Sequence, residues 1–474
     1  MVSIDKALDG FGCQNQAYVV NKDFDFSAYF NHKESDYIKK RLGDEKTFIH
    51  INRFDSHVYV IITPDKNTDW QNKEVLRRKG VELFHSLNAL KLSAVAIIDF
   101  SGNDDNGLAT LEGFYLTSYQ FISYFKDSSK KAYTVTTVHY VGGKSLEEIE
   151  ENKNLWDSVF TTKNFVNQPV MSLPSYRFVE EISSLAKDKG FSATIHLKEW
   201  IEQQGMGGIL AVNKGSIDPP FFCVLEWKPK KATNNKPIVL VGKGIMYDTG
   251  GLSLKPSSGM ETMKADMSGA SAVLGVMSAL SSNRINKHVI ALIPITDNRP
   301  SGNAYAPGDI VKMHNGLFVE VLNTDAEGRM ILADALSYAK IFNPSLVVNI
   351  ATLTGAANAA IGENAAVVMG TAEQNIISQL LDCGFNAHER LVQFPMWDDY
   401  ADLIKSEIAD IKNVGGPLAG AITAGKFLEK FVAYPWIHID IAGSAYHPKG
   451  GDYRGKGATG MGVRLLYQFI KTIN

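Results

Sequence analysis

Short runs of apolar, β-branched residues recur along this chain, separated by stretches whose apolar positions fall at helical spacing, and that alternation predicts an α/β protein. In the first third, residues 58–62, 94–98 and 132–138 read as strands. Further on, residues 238–241, 288–293 and 346–350 are almost continuously apolar, as expected of a sheet covered on both faces. Residues 175–182 read as a capped helix, and 345–362, apolar but broken by Asn, Thr and Gly, as a buried strand followed by a loop. Between 144 and 163 the chain turns charged, with Glu147, Glu148, Glu150, Glu151 and Lys153 close together. The expected layout is a small N-terminal α/β domain over 1–160, a linker helix region over 161–190, and a larger C-terminal α/β domain over 191–474 whose mostly parallel central sheet is flanked by helices. No internal repeat or low-complexity tract interrupts it.

Within this pattern one stretch stands out: Asn323-Thr324-Asp325-Ala326-Glu327-Gly328-Arg329. Two carboxylates two positions apart diverge on a helix and share a side only where the chain is not helical. The flanks agree, because residues 318–322 alternate like a strand and 330–336 read like a helix start, so the two acids are expected at a strand end. Gly328 is expected to allow the turn between the flanks. Upstream, the strand at 238–241 leads into Lys243, Asp248, Gly250 and Gly251, and Asp266 follows. Ligands of open α/β sheets gather at the carboxyl ends of strands, where these groups can meet. So many acids in one pocket raise each other's pKa unless cations share the space. Hard oxygen donors suit Mg²⁺, Mn²⁺ or Zn²⁺, and two ions sharing a carboxylate form the paired site of many hydrolases. None of the eleven histidines lies in these segments and no His-Glu-x-x-His is present, which separates this pattern from mononuclear zinc proteases. Lys243 can ligate a metal only as a neutral amine.

Composition narrows the setting. The 474 residues, 45% of them hydrophobic, suffice for two or three domains with a sizeable core. A net charge of -3 gives no bulk attraction to nucleic acid or an anionic membrane. Cys13, Cys223 and Cys383 are widely spaced and form no CxxC pair, as expected of reduced thiols in a cytosol-like compartment. The first residues lack a basic stretch followed by an apolar core, and no apolar run reaches membrane-spanning length, so a cytoplasmic protein is expected.

The ordered motifs resemble those of the leucyl aminopeptidase family, the M17 metallopeptidases or cytosol aminopeptidases. The matching stretches are 241–244, 248–256, 264–270, 300–305, 323–329, 351–356 and 440–443, which together span most of 167–464. The resemblance implies a dinuclear aminopeptidase that removes Leu-like, Met and other uncharged N-terminal residues through a metal-bridging hydroxide. By the same resemblance Lys243, Asp248, Asp266 and Glu327 hold one divalent ion and Asp248, Asp325 and Glu327 the other. The ions would be Zn²⁺ or Mn²⁺, with Co²⁺ or Mg²⁺ as further options. Lys255 would polarise the substrate carbonyl, and Arg329 would hold a bicarbonate acting as base. Met263, Thr352, Leu353, Gly355, Ala442 and Ala445 would contact substrate. Short peptides are the implied partners, and a homohexamer of two trimers the implied assembly. The chain departs from the family pattern at Asp297-Asn298-Arg299 and over 442–446, which bears on substrate preference and leaves the metal chemistry alone. Two other readings stay open: a non-peptidase two-metal hydrolase such as a phosphoesterase, for which the usual His and Asn ligands are missing, and an added DNA-binding or regulatory role.

Overall fold

A computed structural model describes residues 2–7, 9–10, 12–65 and 68–473. They divide into two compact units, one of 1–156 with 450–455 and one of 157–449 with 456–474. The division falls inside the helix Leu146–Asn167.

The first unit is built on a six-stranded sheet in the order Ser3–Lys6, Thr137–Val141, Ala94–Asp99, Gln16–Val20, His57–Ile62, Phe48–Asn52. Every neighbouring pair is parallel except the last. Two strands read from the sequence, at 58–62 and 94–98, are present. The third is displaced: the strand is Thr137–Val141, and the N–H groups of Tyr133 and Thr134 donate instead to Gln120 Oε1 and Asn88 Oδ1, both at 2.9 Å. Those side chains satisfy backbone that would otherwise need a strand partner.

The second unit contains a nine-stranded sheet. Its centre is Trp436–Asp440, Leu346–Ala351, Ile238–Gly242 and Val289–Asn298, mutually parallel. Every residue of these four strands is buried, which explains their mostly apolar runs. Antiparallel pairs flank the centre, Ala366–Gly370 on one side and Phe221–Trp227 on the other. Gly244–Asp248 pairs with the end of Val289–Asn298. On one face Ile331, Leu332, Ala335 and Leu336 of the helix Glu327–Ala339 share a core with Val239, Val241, Ile290 and Val347 of the sheet.

Three local expectations are revised. The acidic heptad follows Phe318–Glu320, which belongs to a separate three-stranded sheet with Ile310–Lys312 and Ile411–Lys412. The helix at Ser175–Lys189 is present, but Pro174 precedes it without a side-chain cap, and Ser175 Oγ donates to Pro219 O at 2.8 Å. Leu346–Ala351 is followed by a helix, Gly355–Ile361, rather than a loop; Thr354 caps it by accepting the Ala357 N–H. Among the described residues no helix is long and apolar enough to cross a membrane.

Candidate metal centre

The acidic and basic groups of the cluster sit at the ends of regular elements and in the turns between them. Lys243 directly follows Ile238–Gly242; its N–H donates to Ile350 O at 3.2 Å and its carbonyl accepts the Ala270 N–H at 2.9 Å. Asp248 closes Gly244–Asp248, and its Oδ1 accepts from Gly250 N–H at 2.9 Å and Asn298 Nδ2 at 2.8 Å. Gly250 and Gly251 have φ of 86° and 64°, a left-handed pair that turns the chain back so that Lys255 N–H reaches Thr249 O at 3.0 Å. Asp266 lies in the single 3₁₀ turn Met263–Met267, its Oδ1 held by Thr352 Oγ1 at 2.8 Å. Asp325 sits in the turn before Glu327, and Glu327 is the first residue of its helix. The turn is fixed by its backbone: Tyr305 Oη and Asn298 Nδ2 both donate to Thr324 O, at 2.9 and 3.0 Å.

Gly328 does not make the turn, since it is already helical. A Cβ there would lie 2.6 Å from Lys243 Nζ, so the glycine leaves room for the lysine to cross the helix start.

The charges interlock. Lys243 Nζ lies 2.8 Å from Asp266 Oδ1 and 2.9 Å from Glu327 Oε1, and donates to Thr352 O at 2.9 Å. Lys255 Nζ lies 2.8 Å from Asp248 Oδ2 and 2.5 Å from Asp325 Oδ1. Carboxylate oxygens of Asp248, Asp325 and Glu327 all fall within 4.8 Å of one another. Burial pushes the Asp266 carboxyl up to about 6 against the pull of Lys243, while burial and the Asp248 charge push Glu327 up to about 8. Asp325 moves upward for the same two reasons. Burial acts to discharge both lysines, but their carboxylate neighbours outweigh it and hold each ammonium above its ordinary value.

This donor set fits divalent cations. Four carboxylates face two ammonium groups. Asp266 Oδ2 and Glu327 Oε2 are buried oxygens with no hydrogen-bond partner among the described residues, an arrangement that favours a positive ligand.

The cluster opens onto a cleft of about 450 Å³ whose walls include Met263, Thr352, Leu353, Gly355, Ala442 and Ala445, the six residues named as substrate contacts from the sequence. Arg329 does not line it. Its guanidinium, two residues beyond Glu327 in the helix, is buried, donates from Nη1 to Asn413 O at 2.7 Å, and has an Nε without a hydrogen-bond partner among the described residues. Burial lowers its pKa to about 10, opposed by Glu327 and Asp440.

The sequence reading passed over several groups that hold the site. Asp440 accepts from Leu353 N–H at 3.0 Å, Thr354 Oγ1 at 2.7 Å and Ala442 N–H at 3.1 Å, tying together the two loops of the cleft wall. Asn413 accepts the Leu322 N–H at 2.9 Å and donates to Asn323 O at 2.7 Å, so it braces both the heptad and Arg329. Asp440 and Asn298 stood in recognisable stretches with no role attached, whereas Asn413 carried no signal. Asn358, Glu363 and Tyr446 also line the cleft. His438 is structural: Asn349 Nδ2 donates to its Nδ1 at 2.8 Å, and burial lowers its pKa to about 3.

Comparison with known proteins points the same way. The family model described as cytosol aminopeptidase family, catalytic domain, matches residues 160–467. A protein of Chloroherpeton thalassium named "Probable cytosol aminopeptidase" is 40% identical over 418 residues, 84% of this chain and 82% of the relative. One of the same name from Geobacter sulfurreducens is 43% identical over 369 residues, 76% of this chain and 73% of the relative. Among solved structures, the bottromycin maturation enzyme BotP in complex with Mn aligns with a TM-score of 0.85 at 26% identity, covering 97% of this chain and 99% of that one. A cleft of clustered carboxylates and lysines, in a sequence of this likeness, therefore belongs to a metal-dependent aminopeptidase: the chain is a member of the cytosol aminopeptidase family.

Proposed function

We propose that the chain releases N-terminal residues from short peptides with two divalent cations held in this cleft. The observation that carries the proposal is the convergence of Asp248, Asp266, Asp325 and Glu327 with Lys243 and Lys255 in one largely buried cluster. Lys243, Asp248, Asp266 and Glu327 would hold one cation and Asp248, Asp325 and Glu327 the other, with Zn²⁺ and Mn²⁺ the expected occupants. Such ions supply hydroxide at neutral pH and stabilise developing negative charge. Lys243 would hold a cation as a neutral amine, its proton released to solvent as the cation takes over the charge of Asp266 and Glu327. Lys255, whose Asp248 and Asp325 partners would then hold cations, would turn its ammonium to the substrate carbonyl, where negative charge grows in the transition state. Arg329, buried outside the cleft lining, would anchor a bicarbonate through its Nε, which has no hydrogen-bond partner among the described residues; a guanidinium suits a planar anion. Met263, Gly355, Ala442 and Ala445 are small or apolar, which suits Leu-like, Met and other uncharged side chains, and Leu353 would offer its carbonyl to the peptide.

The test is hydrolysis of aminoacyl amides by the metal-stripped chain after Zn²⁺, Mn²⁺, Co²⁺ or Mg²⁺ is restored. Glu327→Ala and Lys255→Ala should each lower kcat by roughly 100-fold or more, since each removes charge stabilisation from the transition state. Parental turnover in either variant contradicts these roles.

A further inference from the structure

On the aminopeptidase reading, we propose that Lys264 and Asn167 are positioning residues of the site: Lys264 sets the turn that presents Asp266 to the metal, and Asn167 fastens that turn to the strand pair behind one wall of the cleft. Lys264 lies between Met263, which lines the cleft, and Asp266, inside the 3₁₀ turn Met263–Met267. So short a 3₁₀ segment has little rigidity of its own, and its position depends on what grips it from outside. One grip is Thr352 Oγ1, which donates to Asp266 Oδ1 at 2.8 Å. The other is Lys264 itself, whose Nζ donates to Asn167 O at 2.6 Å. The lysine is half-buried, burial alone lowers its pKa, and it makes no ion pair among the described residues, so the Asn167 carbonyl is what holds it.

Asn167 ends the helix Leu146–Asn167, where carbonyls lack intrahelical partners, and a lysine is a common donor to them. Here the donor comes from the turn that carries a candidate metal ligand, 97 residues away in the chain. The buried Asn167 side chain makes a second tie, its Oδ1 accepting the Ala458 N–H at 3.0 Å. Ala458 pairs with Tyr446 in the two-stranded sheet of Tyr446–His447 and Gly457–Ala458, and Ala445, Tyr446 and Pro448 line the cleft. The approach needs glycine next to Ala458: Gly457 has φ of 88°, and a Cβ there would overlap Asn167 Oδ1. One residue thus holds the metal turn through its backbone and the cleft wall through its side chain. The two ties can be cut separately, because Asn167→Ala keeps the carbonyl that Lys264 uses.

The full chain and its Lys264→Met, Lys264→Arg and Asn167→Ala variants are stripped of metal and titrated with Mn²⁺, then assayed on leucine amide at saturating Mn²⁺, with the thermal midpoint of each recorded. Lys264→Met is expected to bind Mn²⁺ roughly 10-fold more weakly, the low end of what loss of a ligand's outer support costs, and to regain turnover at excess Mn²⁺. Lys264→Arg restores the affinity, since a guanidinium can also donate to the Asn167 carbonyl. Asn167→Ala raises KM by roughly three-fold or more while binding Mn²⁺ as the parent does. Parental Mn²⁺ affinity in a folded Lys264→Met chain, an equal loss in Lys264→Arg, or parental KM in Asn167→Ala overturns the proposal. A lower thermal midpoint with Mn²⁺ affinity and KM unmoved also overturns it, because it marks Lys264 as a helix cap and nothing more. Failure of the parent to bind Mn²⁺ or to cleave leucine amide overturns the aminopeptidase reading itself.

Discussion

Gly328 shows how a single residue can be read correctly as important and wrongly as to why. Glycine beside clustered acids suggests a turn, yet here it is helical, and its missing Cβ is what lets Lys243 reach Asp266 and Glu327. The reason was hidden because its partner is remote in sequence and only the fold brings the two together. Lys243 cannot simply give way to a methyl group, since its ammonium is pinned by both carboxylates and by Thr352 O. Gly328→Ala is therefore expected to weaken metal affinity and kcat/KM by roughly 10- to 100-fold, the usual cost of disturbing a group that orients a ligand. Metal titration with circular dichroism checks this; native affinity in a folded Gly328→Ala chain contradicts it. The pairing of Asp325 with Glu327, by contrast, was legible, because spacing alone demands a non-helical junction for them to converge.

At the scale of elements, the helix Glu327–Ala339 joins chemistry to packing. It begins with Glu327, carries Arg329 in its first turn, and midway buries Asp334, whose Oδ2 accepts the Ile209 N–H at 2.9 Å and whose Oδ1 accepts the His314 N–H at 3.0 Å. Burial pushes the Asp334 carboxyl up to about 7 even though these donors favour the charged form. A raised carboxyl means that the folded chain holds a proton the unfolded chain releases. The stability this contributes is present below about pH 4, the unfolded value, and is lost as pH rises towards 7, by on the order of a few kcal/mol. Asp334→Asn removes the titration, so the pH dependence of its thermal midpoint between 4 and 7 should be flatter than the parent's; an identical slope contradicts the assignment. The central strands of the second unit were readable because burial on both faces leaves a mostly apolar run. The shift of the strand expected at 132–138 to Thr137–Val141 was not, since it depends on Asn88 and Gln120 meeting that backbone from other elements.

For the molecule as a whole, both units are α/β, and all the groups of the candidate site belong to the second. The division at 156/157 lies within one helix, where the sequence shows a charged run and no break in helical character. The family was legible because its motifs supply the groups of the carboxylate and lysine cluster in order. Much of the bracing by Asn298, Asn413 and Asp440 was not, because hydrogen bonds between distant segments leave no local pattern. The central claim is that this second unit works only with cations among its carboxylates. Its most direct test is to strip the chain of metal, titrate it with Mn²⁺, and follow leucine release from leucine amide against ions bound. The account predicts no turnover without metal and activity that saturates at about two ions per chain, as a paired site requires. Full turnover in the presence of chelator, or none at any metal load, would contradict it.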